Sequence, residues 1–111
     1  MTNRKINKAI AEHLGWKELS FSYCKQIIGN RPFFKNGKIV SYTVDQYVPD
    51  YCNDLNAMHD AENTLNDDQQ YEYAYVLDDL IKNRSCEFDL IHASARMRAE
   101  AFVRTIGKWK E

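Results

Sequence analysis

Apolar residues recur near the start of the chain at the helical interval. Ile6, Ala9, Ile10 and Leu14 are spaced by three and four, which gathers them on one stripe of an amphipathic helix. Thr2 or Asn3 stands where a cap belongs, and Gly15 stands where the helix should end. Lys5 and Lys8 fall on the solvated face. From Trp16 to Val44 the period shortens to two, with Leu19, Phe21 and Tyr23 alternating with Ser20, Ser22 and Cys24. Asn36-Gly37 lies between Phe33-Phe34 and Ile39-Val40, and Tyr42 and Val44 continue the alternation. A type I′ turn needs positive φ at both central residues, so this step predicts a hairpin. Gly29-Asn30-Arg31-Pro32 reads as a further turn, and a small antiparallel sheet results.

The second half returns to helical spacing. Asp50, after Pro49, is placed to cap a helix whose apolar face is Tyr51, Leu55, Met58 and Leu65, with Ala57 and Ala61 allowing close approach. Asn66 to Gln69 has the form of a capping box. It opens a third helix with Tyr73, Leu77, Leu80 and Ile81 as its stripe. Asp67 and Asp68 lie at the positive end of that helix dipole. Cys86, Phe88 and Leu90 alternate as in a short strand. A last helix should bury Ala95, Ala99, Phe102, Val103 and Ile106 and stop at Gly107. On it Arg96, Glu100 and Arg104 are spaced by four, as in a surface ladder worth about 0.2–0.5 kcal/mol per pair. The elements predict one α/β (α+β) domain over residues 1–111, a small α/β/α sandwich with helices packed on a short, mainly antiparallel sheet.

Composition narrows the class without naming a function. The chain is 44% hydrophobic and 28% charged, with four glycines and two prolines, as expected of a globular domain. No apolar run approaches the roughly 20 residues that span a bilayer, and the N-terminus has no signal-peptide core, so the cytoplasm is the expected location. Three cysteines, Cys24, Cys52 and Cys86, are odd in number and far apart, which favours reduced, partly buried thiols over a disulfide framework or zinc knuckle. The formal charge of −1 hides a segregation: +6 over residues 1–40, −10 over 41–92 and +3 over 93–111. The simpler account is that the basic ends fold onto the acidic middle. The sharper one is an acidic surface that docks on a basic host protein or mimics nucleic acid.

Three segments carry a resemblance. They are Ala9-Ile-Ala-Glu-His-Leu-Gly-Trp16, then Pro49-Asp-Tyr-Cys-Asn-Asp-Leu-Asn-Ala57, and finally Ala95-Arg-Met-Arg-Ala-Glu-Ala101 followed by Gly107-Lys-Trp109. Together, in that order and over about half the chain, they resemble the phage ABA sandwich domain family. The resemblance implies an α/β sandwich encoded by a phage or prophage. It supplies no agreed catalytic residues, so none are carried over.

Candidate chemistry is sparse. His59 and Glu62 share a helical face near Asp54 and Asp60, but a metal site needs a second matching pair, and ordinary helix-surface polarity is the better account. Cys52 and Cys86 with His13, His59 and His92 contain a thiol and imidazole set without a nucleophile signature. No phosphate loop or paired-carboxylate motif is present, so the expectation is a non-enzymatic protein with no cofactor and no metal. The aromatics say more. Tyr71, Tyr73 and Tyr75 fall about 200° apart in successive helical steps, so at least one points away from the core. With Tyr47 and Tyr51, and set beside Arg96, Arg98 and Arg104, they form the candidate binding set. The expected function is a phage or prophage accessory protein in the host cytoplasm, with counter-defence as a candidate role, that masks a host protein through its Tyr/Asp-rich surface. The alternative is a sponge that sequesters a nucleotide-type signal between Tyr and Arg. No membrane or nucleic-acid partner is expected. A homo-oligomer seam or a half-exposed sheet face is the plainer account of the same tyrosines.

Overall fold

A computed structural model describes residues 1–22, 26–84 and 94–110, with side chains for all of these but 83 and 84. Among the described residues the order is α1 (Asn3–His13), β1 (Lys17–Phe21), β2 (Ile27–Lys35), β3 (Lys38–Tyr47), α2 (Leu55–Glu62), α3 (Asp67–Arg84) and α4 (Ala95–Thr105). Four helices and a three-stranded antiparallel sheet in the order β1-β2-β3 make a mixed α+β fold, as in a small α/β sandwich. Tyr23, Cys24, Cys86, His92 and the expected strand from Cys86 to Leu90 lie outside the described residues.

The helix ends follow local chemistry. Thr2 Oγ1 accepts from Lys5 N at the start of α1. At its end Gly15 has φ +100°, and Gly15 N donates to Glu12 O while Trp16 N donates to Ala11 O. That double closure is a Schellman motif, and it turns Trp16 back toward the helix. Gly107 and Lys108 close α4 in the same way on Arg104 O and Val103 O. The expected capping box is present at α3, where Asn66 and Gln69 exchange backbone and side-chain bonds of 3.0 and 2.8 Å.

Asp50 does not cap α2. The chain makes a turn first, with Asn53 N and Asp54 N donating to Asp50 O, and Asp54 takes the cap by accepting from Ala57 N at 3.2 Å. Asp50 instead pins that turn, accepting from Asn7 Nδ2 and Asn53 Nδ2. Leu55, now the first helical residue, is exposed rather than part of the apolar face. Asp54→Ala should cost about 1 kcal/mol in urea unfolding, the usual loss for an N-cap, and Asp54→Asn much less. Equal losses for both would mean that the cap adds nothing beyond its charge.

Residues 29–32 are not a turn. They continue β2, with Gly29 opposite Gln46 and Pro32 opposite Tyr42. A proline is tolerated there because β1 reaches only to Asn30, so beyond it β2 has no partner on that side among the described residues. Asn36 and Gly37 take φ +54° and +77°, as the hairpin turn requires. Register slips where the bulges lie, between Lys17 and Ser20, between Gly29 and Arg31, and between Phe33 and Phe34. Glu18 and Asp45 have positive φ at two of them.

The core is built by the helices. Ile6 and Ile10 of α1, Met58 and Ala61 of α2, and Tyr73, Leu77, Leu80 and Ile81 of α3 close around α4. All of residues 99–103 on α4 are buried, so the middle of this helix is enclosed on every side while its two ends stay partly exposed. The sheet meets the helices through β1, against α1. Much of the β2–β3 hairpin carries its apolar residues in the open, Phe33, Val40 and Val44 among them.

Candidate functional site

The sequence-derived set is only partly brought together. Tyr51 and Tyr73 are buried core residues, whereas Tyr71 and Tyr75 on α3 are 82% and 77% exposed. Tyr73 lies against Glu62 and Arg98, yet its hydroxyl makes no hydrogen bond of normal geometry; burial first, then the Glu62 charge, raises its pKa. Tyr47 is exposed at the end of β3, in a groove with Asn3, Arg4 and Asp50. Tyr75 and Arg104 do line one groove, with Val76, Asp79 and Leu80.

The three arginines are engaged inside the molecule. Arg98 Nη1 binds Glu62 Oε1 at 3.2 Å. Arg96 Nη1 and Arg104 Nε each bind a different oxygen of Glu100 at 3.2 Å. Arg96 also donates to Asn3 Oδ1 at 2.7 Å, and Arg104 lies 4.4 Å from the centre of the Trp109 ring. Glu100 is 1% exposed, so the expected surface ladder is a buried carboxylate clamped by two half-buried guanidiniums. The spacing by four was legible, but the enclosure of α4 was not.

A different cleft stands open where α1, β2, the loop after β3 and α2 converge. Its volume is about 480 Å³, within the range of small-molecule pockets. The Schellman turn brings Trp16 to it, and Gly15 lets the hairpin come close. A side chain at Gly15 would put its Cβ 3.1 Å from Ile39 Cδ1 and 3.7 Å from Phe34 Cζ. Trp16 and Tyr51 are buried in the lining, Phe34 is half-exposed, and Leu14, Pro32, Pro49 and Ala57 complete an apolar surface. Polar groups are few: Arg31, Asp60, His13 and Thr64.

Arg31 holds its guanidinium 6.0 Å from the centre of the Trp16 ring. No ion pair joins Arg31 or Asp60 to another side chain among the described residues, in contrast with the α4 arginines. Burial pushes the Tyr51 hydroxyl up to about 12, Arg31 opposing and Asp60 adding to the shift, so it stays protonated at neutral pH. Packing on Phe102 covers one side of the otherwise exposed His13 ring, at 5.7 Å between centroids. That partial burial, then Lys108, lowers the pKa of His13.

Other candidate groups lead elsewhere. Cys52 is a buried free thiol beside Asn3 O, pushed up to about 11 by burial, which keeps it from being a thiolate at neutral pH. His59 is exposed, while Glu62 serves Arg98. Among the described residues no three His, Cys, Asp or Glu side chains gather as a metal site, and no helix is long and apolar enough to cross a membrane.

Sequence reasoning missed the cleft because Trp16, Arg31, Tyr51 and Asp60 sit on four separate elements and share no spacing. Its walls do contain Trp16, Pro49 and Tyr51, which belong to two of the segments that carry the family resemblance. No family model matches the chain, and no curated protein or solved structure matches it.

Proposed function

We propose that the chain is a non-enzymatic phage or prophage accessory protein that acts in the host cytoplasm by masking a basic surface of a host protein. The observation that carries this reading is the outer stripe of α3, where the exposed rings of Tyr71 and Tyr75 stand among Asp68, Glu72 and Asp79. Tyrosine supplies a large, rigid, amphipathic contact, and the carboxylates supply attraction for a cationic partner. The distribution of ion pairs supports it. Lys108 pairs with Glu12, and Arg96 and Arg104 pair with Glu100, all within the basic ends of the chain. Among the described residues Arg98–Glu62 joins a basic end to the acidic middle, Lys82 pairs with Asp78 inside that middle, and Asp67, Asp68 and Glu72 face solvent.

A nucleotide sponge built on Arg96, Arg98 and Arg104 draws less support, since each guanidinium already faces a carboxylate of its own fold. The resemblance to the phage ABA sandwich domain family suggests the phage origin, and a counter-defence role fits a small masking protein.

The test uses the Tyr71→Ala/Tyr75→Ala variant, whose side chains lie outside the core and whose melting temperature should stay within about 2 °C of the parent. Retention of a host protein from lysate should fall at least tenfold, and parent binding should weaken as salt rises from 50 to 300 mM. Undiminished retention by the double variant would remove α3 from the interface.

A further inference from the structure

We propose that the cleft between α1, β2 and α2 is a binding site for a purine nucleoside monophosphate, with guanine favoured over adenine. It shares no residue with the outer stripe of α3, so it stands apart from the masking reading above.

Each part of such a ligand meets a matching group. The half-exposed Phe34 of the hairpin and the edges of Trp16 and Tyr51 give the lining aromatic surface for a flat apolar ring. Aromatic contact of this kind accepts any base, because every base has a π face. Arg31 adds a cation beside the Trp16 ring, 6.0 Å from its centre. A guanidinium presents a planar fork of donors that suits phosphate oxygens. Arg31 is exposed and without a carboxylate partner among the described residues, so a phosphate would not have to displace an existing pair.

Asp60 supplies the second sign of charge in the same lining. An ionised carboxylate only accepts hydrogen bonds. Guanine presents two adjacent N–H donor groups on one edge, N1–H and N2–H, which two carboxylate oxygens can take together. Adenine presents one amino group and ring acceptors, which a carboxylate repels. Pairing of Asp60 with the base edge therefore sets the preference. Pro32 and Pro49 stiffen two of the walls, and Gly15 holds the hairpin wall close, so the site is largely formed before a ligand arrives.

The reading is tested on the full chain by calorimetry and by following the two indole N–H signals with GMP, AMP and inorganic phosphate as probes. GMP should bind in the micromolar range and shift the Trp16 signal. The Trp109 signal should hold still, since its ring packs with Arg96 and Arg104 instead. AMP should bind at least tenfold more weakly, and phosphate alone should leave Trp16 unmoved. Arg31→Gln should weaken GMP at least tenfold. Asp60→Asn should level GMP with AMP while the parent melting temperature is kept. Absence of GMP binding at millimolar concentration would overturn the site. So would GMP affinity that survives both substitutions in folded protein, or a response at Trp109 without one at Trp16. Equal affinity for AMP and GMP in the parent chain would overturn the role given to Asp60.

Discussion

Replacing Glu100 with alanine is expected to lower the free energy of unfolding by about 3 kcal/mol, the scale on which breaking a buried ion pair acts. The carboxylate is 1% exposed and binds Arg96 with one oxygen and Arg104 with the other. Removing it leaves two guanidiniums, each one-third exposed, beside one another with no anion between them. Part of that repulsion is relieved by water, which places the expected loss at the lower end for a buried pair. At this chain length the melting temperature should fall by roughly 10 °C. Glu100→Gln keeps the volume and the acceptor but not the charge, and should fall between alanine and the parent. A loss below 1 kcal/mol for the alanine variant would show that the arginines reach solvent without cost. The Asn3 bond to Arg96 and the Trp109 ring over Arg104 also depend on this clamp. Their melting should therefore show in near-ultraviolet circular dichroism before the helices unwind.

Phe102→Ala is expected to cost about 3–5 kcal/mol, as large-to-small changes at fully enclosed aromatic sites do. Phe102 is 0% exposed on α4, which packs against α1, α2 and α3, so its removal opens a cavity in the helical core. Its edge-on contact with His13, at 78° between ring planes, supplies a second readout. Partial burial and Lys108 hold the His13 pKa below its usual 6.5. In the native chain, acidification protonates the unfolded form first. The contribution of His13 is therefore complete above about pH 6.5 and is lost as pH falls toward the lowered folded value. In folded Phe102→Ala at low temperature the ring gains water, and its titration followed by NMR should move up toward 6.5. An unmoved titration would assign the shift to Lys108 alone.

These effects separate what is written in the sequence from what is assembled in space. The Asn36-Gly37 hairpin, the Asn66/Gln69 box and the glycine ends of α1 and α4 were legible, because each is decided by residues within a few positions of one another. The stripe of α3 was legible for the same reason and put Tyr73 with Leu77, Leu80 and Ile81, although Tyr73 was also grouped with Tyr71 and Tyr75 in the binding set, which its burial contradicts. The α2 cap was misplaced because Asp50 and Asp54 are equally good acceptors, and only the turn between them decides. Pro32 read as a turn because no local signal says where β1 stops. Glu100 read as a surface residue because helical spacing describes one face, whereas α1, α2 and α3 together enclose α4. The arginine half of the candidate site failed for that reason, and the cleft was hidden because its polar groups come from distant parts of the chain.

The bulges of β3 have a consequence beyond local geometry. Among the described residues this strand is one edge of the sheet, ten residues long and rich in exposed apolar side chains, the combination from which fibrillar stacking starts. Register breaks near Val40 and again near Asp45, where the backbone adopts positive φ, so an incoming strand finds only a short straight stretch around Ser41 to Thr43. The irregular backbone therefore offers a second copy of this chain little regular edge to extend, and leaves the exposed apolar side chains presented on a face rather than along a pairing edge.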